Sequence, residues 1–222
     1  MSLQLARTGS ATSDQDLERF RSLLADRPAA AIIDWALERA QNPVISTNFR
    51  PRSAVLLHLV TQARPDIPVI WVDTGYNTLA TYRFVEDLTR RLNLNLQVYA
   101  PRVTSARRYA VLEGVPTLDD PGHEEFTREV KLEPFERALR ELRPDHWFTG
   151  IRAEHNEFRR SLGVVSRGPF GVVRVAPLHA WSDADMAAYL AGHGLPDNPN
   201  YVDPTKVLGD RECGLQNLGS GI

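Results

Sequence analysis

The chain carries one thiol, and it lies close to the carboxyl terminus. Cys213 is the only cysteine among 222 residues and stands within the stretch RECGL, at 211–215. Its neighbours are the charged residues Arg211 and Glu212 and the flexible residue Gly214, which is an unusual setting for a packed core cysteine. A thiolate is a nucleophile, and a nearby arginine favours that form. We therefore interpret Cys213 as a candidate nucleophile in a flexible tail.

A second group of reactive types lies where a predicted strand turns into a predicted helix. The stretch STNFRPRS, at 46–53, offers the hydroxyls of Ser46 and Thr47 and the cations Arg50 and Arg52. A helix N-terminus presents unpaired N–H groups and the positive end of the helix dipole, so it favours a bound anion. The alternative is a capped turn whose arginines are only solvated.

The stretch DTGY, at 73–76, places a carboxylate at the end of another predicted strand. Asp73 could orient a ribose, an adenine amine or a metal ion. The alternative is that Asp73 caps the following turn, which aspartate does often.

A third stretch, GIRAEHNEFRR, contains Arg152 and Arg159. Their spacing of seven would place both guanidinium groups on one side of a helix, facing the same anion. Paired guanidinium forks favour phosphate or sulfate. Solvated surface arginines are the alternative.

Other common catalytic patterns are missing from the sequence. The six histidines show neither HxxxH nor HExxH spacing, and neither a GxSxG nor a GxxxxGK[ST] motif occurs. We therefore predict no metal site, and we interpret His58 as a packed or half-buried residue. A serine-hydrolase site and a P-loop are excluded on the same grounds.

The elements that must position these residues alternate between strand and helix. Short apolar runs at 43–49, 67–74 and 94–100 predict strands, and the stretches 53–63 and 78–92 between them predict helices. This alternation favours right-handed crossovers and a parallel sheet. Ligands bind such sheets beyond the carboxyl ends of the strands, where all three polar stretches are expected.

Further elements are predicted on both sides of this core. Ser13 with Asp16 and Ser182 with Asp185 each predict a helix start, and Pro28 opens a second N-terminal helix. The remaining segments are assigned as a polar stretch at 101–128, helices at 128–142 and 182–194, strands at 145–151 and 170–178, and a loop from 195 onward.

Length and composition predict a single domain, and the alternation of strands and helices predicts an α/β fold with an open, mainly parallel twisted sheet and helices on both faces. We divide it into N-terminal helices at 1–40, an α/β core at 41–194 and a flexible tail at 195–222 that carries the cysteine. The formal charge of −2 argues against nucleic-acid binding despite 24 arginines to 2 lysines. No apolar run approaches the roughly 20 residues that span a bilayer, so a cytoplasmic protein is expected.

Taken in order, these stretches resemble the phosphoadenylyl-sulfate (PAPS) reductase family, a branch of the adenine nucleotide α-hydrolase-like (PP-loop) fold. The resemblance covers much of residues 43–215. The matching stretches are SAVLLHLV (53–60), RPDIPVIWVDTGYNTLATYRFVEDLTRRLNLNLQVY (64–99), KLEPFERALRELRPDHWFTGIR (131–152) and RECGL (211–215).

The resemblance implies a role for each candidate residue. It makes Cys213 the catalytic nucleophile. The implied phosphosulfate cradle comprises Ser46, Thr47, Asn48, Phe49, Arg50 and Arg52. The implied adenosine pocket comprises Asp73, Gly75 and Tyr76. The implied anion contacts are Lys131, Gly150, Arg152 and Arg159.

The resemblance also implies the reaction and its partners. The thiolate would attack the sulfonate sulfur of PAPS to give an S-sulfocysteine, and a thiol of thioredoxin or glutaredoxin would then release sulfite during sulfate assimilation. No bound cofactor is implied, and a homodimer is the assembly that the resemblance suggests. Relatives that use the nucleotide without its 3′-phosphate carry two cysteine pairs for an iron–sulfur cluster, so one cysteine favours PAPS.

The sequence departs from the family pattern at the site and in the tail. Arg50 replaces a small residue, and His155 and Asn156 stand where Gln and Ser are usual. The segment before the cysteine is shorter than in the family. Two alignments of this region are therefore open. In one, RECGL matches the family's catalytic tail by residue type. In the other, VLGDREC (207–213) matches by spacing a Gly-Asp-x-His-Thr-Thr loop of the family, and the catalytic tail is missing. Two other functions stay open: a noncatalytic sulfonucleotide sensor and an ATP pyrophosphatase or sulfur-transfer enzyme of the same fold.

Overall fold

A computed structural model describes residues 12–112, 115–117 and 119–203 of the chain. Helices and strands alternate through most of this length, as the sequence predicts. The elements are α1 (Asp14–Leu24), α2 (Ala29–Leu37), β1 (Pro43–Thr47), α3 (Ser53–Ala63), β2 (Pro68–Val72), α4 (Leu79–Leu92), β3 (Asn95–Tyr99), α5 (Ser105–Leu112), α6 (His123–Thr127), a π-helical turn (Arg128–Leu132), α7 (Glu133–Leu142), β4 (His146–Phe148), a 3-10 turn (Ala153–His155), α8 (Glu157–Leu162), β5 (Val165–Arg167), a 3-10 turn (Pro169–Gly171), β6 (Val173–Val175) and α9 (Asp183–Gly192).

The strands form one six-stranded sheet in the order β3-β2-β1-β4-β6-β5. Every neighbouring pair is parallel except β5 with β6, which is antiparallel. Strands β2 and β3 lie on one side of β1, and β4, β6 and β5 lie on the other. The strand order therefore reverses between β1 and β4. Such a reversal opens a crevice at the carboxyl ends of the two strands.

Helices cover both faces of the sheet, as predicted. Val44 and Ile70 belong to a core cluster with Phe135 of α7, whereas the adjacent Ile45 and Val69 belong to the larger cluster that includes α3, α4 and α9. Successive strand residues point to opposite faces, so one apolar run supplies both cores. The mainly parallel α/β fold is thus confirmed.

Two parts of the secondary structure differ from the sequence prediction. The polar stretch contains α5 and α6, and the predicted helix 128–142 begins with a π turn that continues from α6. Both helices are short, with eight and five residues, so an apolar period is hard to recognise in their sequences. The turn buries Val130 and Lys131, which are 0% and 4% exposed. A lysine so placed needs a charged partner.

Strand β5 was not predicted. It spans three residues and is joined to β6 by a tight turn in which Phe170 has a φ of 55°. Among the described residues it pairs with β6 alone, and it also contacts α1. A strand of this length is hard to separate from a loop by periodicity alone.

Two capping boxes fix helix starts at the predicted places. Ser13 Oγ accepts a hydrogen bond from the Asp16 backbone, and Ser182 Oγ accepts one from the Asp185 backbone, with each aspartate reaching back to the serine N–H. The second box starts α9 at Asp183, which places that carboxylate beside the candidate site. Within the described residues, no helix is both long and apolar enough to cross a membrane.

His58 is half-buried between α3 and α9, in agreement with the sequence interpretation. Its Nδ1 lies 2.8 Å from Tyr189 Oη, and its ring centroid is 4.9 Å from that of His193. Burial, followed by the charge of His193, lowers the pKa of His58 below the ordinary 6.5. The folded protein therefore resists a proton that the unfolded chain accepts, and stability is lost as the pH falls through 6.5.

We therefore expect His58→Gln to flatten the acid side of the stability profile. The free energy of unfolding of the wild type should fall more than that of the variant between about pH 7.5 and about pH 5.5, whatever their difference at neutral pH. Urea unfolding at a series of pH values measures both. Parallel profiles for the two proteins would contradict the prediction.

Candidate functional site

The crevice at the carboxyl ends of β1, β2 and β4 is a cavity of about 390 Å³. Most of the residues predicted for ligand binding line it, although they come from three separate stretches of sequence. These residues are Ser46, Thr47, Asn48, Arg50, Arg52, Lys131, Gly150, Arg152 and Arg159. Cys213 lies outside the described residues, so its position relative to the cavity stays a prediction.

Side-chain hydrogen bonds shape the loop after β1. Thr47 Oγ1 accepts from the Phe49 N–H at 3.0 Å, and Asn48 Oδ1 accepts from the Arg50 N–H at 3.3 Å. The Arg50 Nη2 donates to the carbonyl oxygen of Gly150 at 3.3 Å. Arg50 therefore spans the crevice between the β1 and β4 loops, and it takes space that a small residue would leave to a ligand.

The structure places Phe49 in the core, not in the cavity. Its side chain is fully buried, with ring centroids 5.4 Å from Trp71 and 6.2 Å from Phe84. A φ of 52° turns the backbone so that the ring points under the loop. Phe49 thus supports the loop from below, and only its main chain lies near the site.

The residues predicted for the adenosine pocket contact other protein groups and do not face the cavity. Asp73 Oδ1 accepts from the Gly75 N–H at 3.0 Å and from Tyr82 Oη at 2.9 Å, which is the turn-capping alternative. Burial and this carboxylate raise the pKa of Tyr82 to about 12. The ring of Tyr76 packs edge-on against Phe126 at 5.5 Å. None of Asp73, Gly75 and Tyr76 lines the cavity.

Arg52 caps the N-terminus of α3 with a left-handed φ of 65°. Its N–H donates to Asp197 Oδ1 at 2.6 Å, and its guanidinium pairs with Asp183 of α9. The positive end of the α3 dipole therefore faces a carboxylate supplied by the segment after α9.

Arg152 is 5% exposed and lies at the centre of the charged cluster. Its Nη2 donates to Asp183 Oδ1 at 2.6 Å, and its Nη1 pairs with Glu154. Burial lowers the pKa of Arg152, while the Glu154 carboxylate opposes the shift. Asp183 thus links Arg152 to Arg52 across the cavity.

Arg152 and Arg159 converge, but not on one helical face. Arg152 has extended backbone angles, and a 3-10 turn and an extended Asn156 separate it from α8, which carries Arg159. The prediction of a shared helix was wrong, since Asn156 caps α8 by accepting from the Arg159 N–H at 2.8 Å. The two guanidinium groups meet at His155 instead, 2.7 Å and 2.8 Å from its ring nitrogens.

Lys131 approaches the cavity from the π turn. Its ammonium pairs with Asp203, and the two side chains are 5% and 6% exposed. The lysine was expected here by resemblance, whereas the aspartate was not predicted. An acidic residue in a segment rich in Pro and Asn gives no sequence signal for an inward contact.

The segment 197–203 contacts the loops around the cavity, and Tyr201, Val202 and Asp203 line it. Asn198 is 2% exposed and donates from Nδ2 to the Phe49 carbonyl at 2.8 Å and to Thr81 Oγ1 at 3.0 Å. Asp197 and Asp203 on either side of it contact Arg52 and Lys131. This segment therefore holds one cation of the cavity, Lys131, through Asp203, and it holds the backbone of Arg52 through Asp197.

The sequence of this chain is similar to those of known enzymes. Residues 42–216 match the model of the phosphoadenosine phosphosulfate reductase domain. The chain is 39% identical over 200 residues to the phosphoadenosine 5′-phosphosulfate reductase of Synechococcus sp., covering 87% of this chain and 84% of that protein. It is 40% identical over 198 residues to the enzyme of the same name from Thiocapsa roseopersicina, covering 89% and 82%.

Solved structures show the same fold. A phosphate complex of PAPS reductase from Candida auris superposes with a TM-score of 0.73 at 24% identity, covering 84% of this chain and 89% of that chain. FMN adenylyltransferase from Candida glabrata in complex with ATP gives a TM-score of 0.56 at 18% identity, covering 85% and 60%. At these identities the likeness concerns the fold alone.

Proposed function

This chain belongs to the phosphoadenosine phosphosulfate reductase family, and on that premise we propose that it reduces PAPS to sulfite and adenosine 3′,5′-bisphosphate. The observation that carries the proposal is the meeting of Arg52, Lys131, Arg152 and Arg159 in one crevice. PAPS brings anionic groups at both ends of its ribose, and such groups need several cationic donors. Carboxylates already pair with three of these cations, the exposed Asp183 with Arg52 and Arg152 and the buried Asp203 with Lys131, and they stabilise the cations before a ligand binds.

The proposed reaction begins with the Cys213 thiolate attacking the sulfonate sulfur. An S–S bond forms, the S–O bond to the nucleotide breaks, and adenosine 3′,5′-bisphosphate leaves with the bonding electron pair. The arginines neutralise charge on the leaving group. The product on the enzyme is an S-sulfocysteine.

A dithiol protein of the thioredoxin or glutaredoxin class completes the proposed cycle. One donor thiolate attacks the sulfur of Cys213 and expels sulfite, forming a mixed disulfide. The second donor thiol resolves that disulfide and restores the Cys213 thiol. Two thiols thus lose two electrons, and sulfur passes from the sulfate to the sulfite oxidation state.

A direct test supplies the purified protein with PAPS, reduced thioredoxin and a means of detecting sulfite. We expect sulfite and adenosine 3′,5′-bisphosphate in equal amounts, and no pyrophosphate when ATP replaces PAPS. Tight PAPS binding without either product would support the sensor alternative. Pyrophosphate release from ATP would support the pyrophosphatase alternative.

The arginine cluster makes its own prediction for binding. Arg152→Ala and Arg159→Ala should each weaken PAPS binding about tenfold or more, because a charged hydrogen bond in a partly dry site contributes about 1.5–3 kcal/mol. Titration calorimetry gives the affinities. Arg160→Ala is the matched control, since Arg160 is exposed on the same helix and should bind as the wild type does. If the PAPS affinity of both cluster variants equals that of the wild type, these arginines have only a structural role.

A further inference from the structure

Thr149 has a buried hydroxyl in the wall of the cavity, and none of the contacts described above uses it. The residue directly follows β4, is 2% exposed and lines the cavity. Its N–H donates to the Val175 carbonyl at 2.9 Å, so the sheet fixes its backbone. Within the described residues, Thr149 Oγ1 has no hydrogen-bond partner. The family resemblance implies a role for the neighbouring Gly150 but none for Thr149.

A buried hydroxyl without a partner is unusual, because it has lost its hydrogen bonds to water and gained none in the protein. Thr61 shows the ordinary arrangement. It is 6% exposed within α3, and its Oγ1 donates to the Leu57 carbonyl at 2.7 Å. Thr61 is absent from the cavity lining, whereas Thr149 belongs to it. The unpaired hydroxyl thus lies where a ligand can supply the missing partner.

The cavity around Thr149 is positively charged. Cationic side chains outnumber carboxylates in the described lining, with Arg50, Arg52, Lys131, Arg152 and Arg159 against Asp183 and Asp203. One of these cations reaches the residue next to Thr149, since Arg50 Nη2 donates to the Gly150 carbonyl at 3.3 Å. Such surroundings attract an anionic oxygen. A hydroxyl can only donate to an oxygen of that kind, and a hydrogen bond to a charged group is among the stronger ones.

We propose that Thr149 is a ligand-binding residue whose hydroxyl donates a hydrogen bond to an anionic oxygen of the bound sulfonucleotide. This inference rests on the proposed function, since it names a further contact of the same site. The direction of the hydroxyl is set by χ1 and by rotation about the C–O bond, so it adjusts to the ligand without backbone movement. No hydrogen bond between described residues is broken when it does so, and the new bond is not offset by such a loss.

The test removes the hydroxyl and keeps the shape. Thr149→Val is studied in a Cys213→Ser background, so that no covalent reaction follows binding. Titration calorimetry should show a PAPS affinity about tenfold lower or more than that of the Cys213→Ser parent. Without ligand, the urea midpoint of the valine variant should equal or exceed that of the parent, because an apolar group replaces an unpaired buried hydroxyl. A hydroxyl with a structural hydrogen bond would give the opposite pair of results.

Two matched variants and a second nucleotide complete the design. Thr149→Ser keeps the hydroxyl and should bind PAPS nearly as the parent does. Thr61→Val makes the same chemical change at a paired hydroxyl outside the cavity lining and should leave the PAPS affinity unchanged. Adenosine 3′,5′-bisphosphate locates the oxygen. If Thr149→Val weakens both nucleotides, the hydroxyl donates to a phosphate that they share, and if it weakens PAPS alone, the hydroxyl donates to the sulfonate.

The results that contradict this inference differ from those that contradict the proposed function. Equal PAPS affinities of Thr149→Val and the parent would overturn the inference and leave the proposed function intact. A urea midpoint of Thr149→Val below that of the parent would also overturn it, since the hydroxyl would then be bonded within the protein. A parent that does not bind PAPS would overturn both.

Discussion

Cys213→Ser should abolish sulfite formation while leaving PAPS binding in place. Mixed with PAPS and no reductant, the wild-type protein should gain about 80 Da, the mass of a sulfonate on sulfur, and release one equivalent of adenosine 3′,5′-bisphosphate. The serine variant should gain nothing, because a hydroxyl in a polar setting is a far weaker nucleophile than a thiolate. Intact mass spectrometry and nucleotide analysis measure both quantities.

This experiment separates the two alignments of the tail. If RECGL is the catalytic tail, the mass appears at Cys213 and disappears when reduced thioredoxin is added, with sulfite released. If Cys213 instead occupies the place of the missing loop, the wild type will bind PAPS and never gain the mass over a broad pH range. That outcome would leave a sulfonucleotide sensor as the function.

The sheet and its main helices could be predicted because each obeys a local rule. Val44 and Ile45 lie in a continuous apolar run typical of a strand buried on both faces, and Ser182 with Asp185 starts a helix wherever it precedes an apolar pattern. Strand β5 and helices α5 and α6 escaped prediction because they are short and packed by contacts distant in sequence. Their existence depends on tertiary structure more than on local pattern.

The sequence predicted the basic residues of the candidate site but not the acidic residues that pair with them. Arg52 and Arg152 follow strands that end at the same edge, so their meeting follows from topology. The carboxylates of Asp183, Asp197 and Asp203 that pair with the site come from α9 and from a segment without periodicity. Nothing local indicates that this segment lines the cavity.

The pairing of Lys131 with Asp203 leads to the second large effect. Both side chains are almost fully buried, so removing one partner deprives the other of a close opposite charge in a dry environment. Lys131→Met should therefore destabilise the protein by about 3–5 kcal/mol and also remove a cation from the anion site. Asp203→Asn should have the opposite effect on binding, since the carboxylate that competes for Lys131 is gone, and PAPS affinity should rise about tenfold or more.

The double variant Lys131→Met with Asp203→Asn distinguishes the stability of the pair from its part in binding. It contains no buried charge at this position, so urea unfolding should show that most of the stability lost in Lys131→Met is recovered. Its PAPS affinity should stay low, because recovery of the fold does not restore the cation. If calorimetry instead finds wild-type affinity in the double variant, Lys131 serves only to hold the segment 197–203 in place. If Asp203→Asn binds PAPS more weakly than the wild type, the carboxylate orients the lysine toward the ligand and does not compete with it.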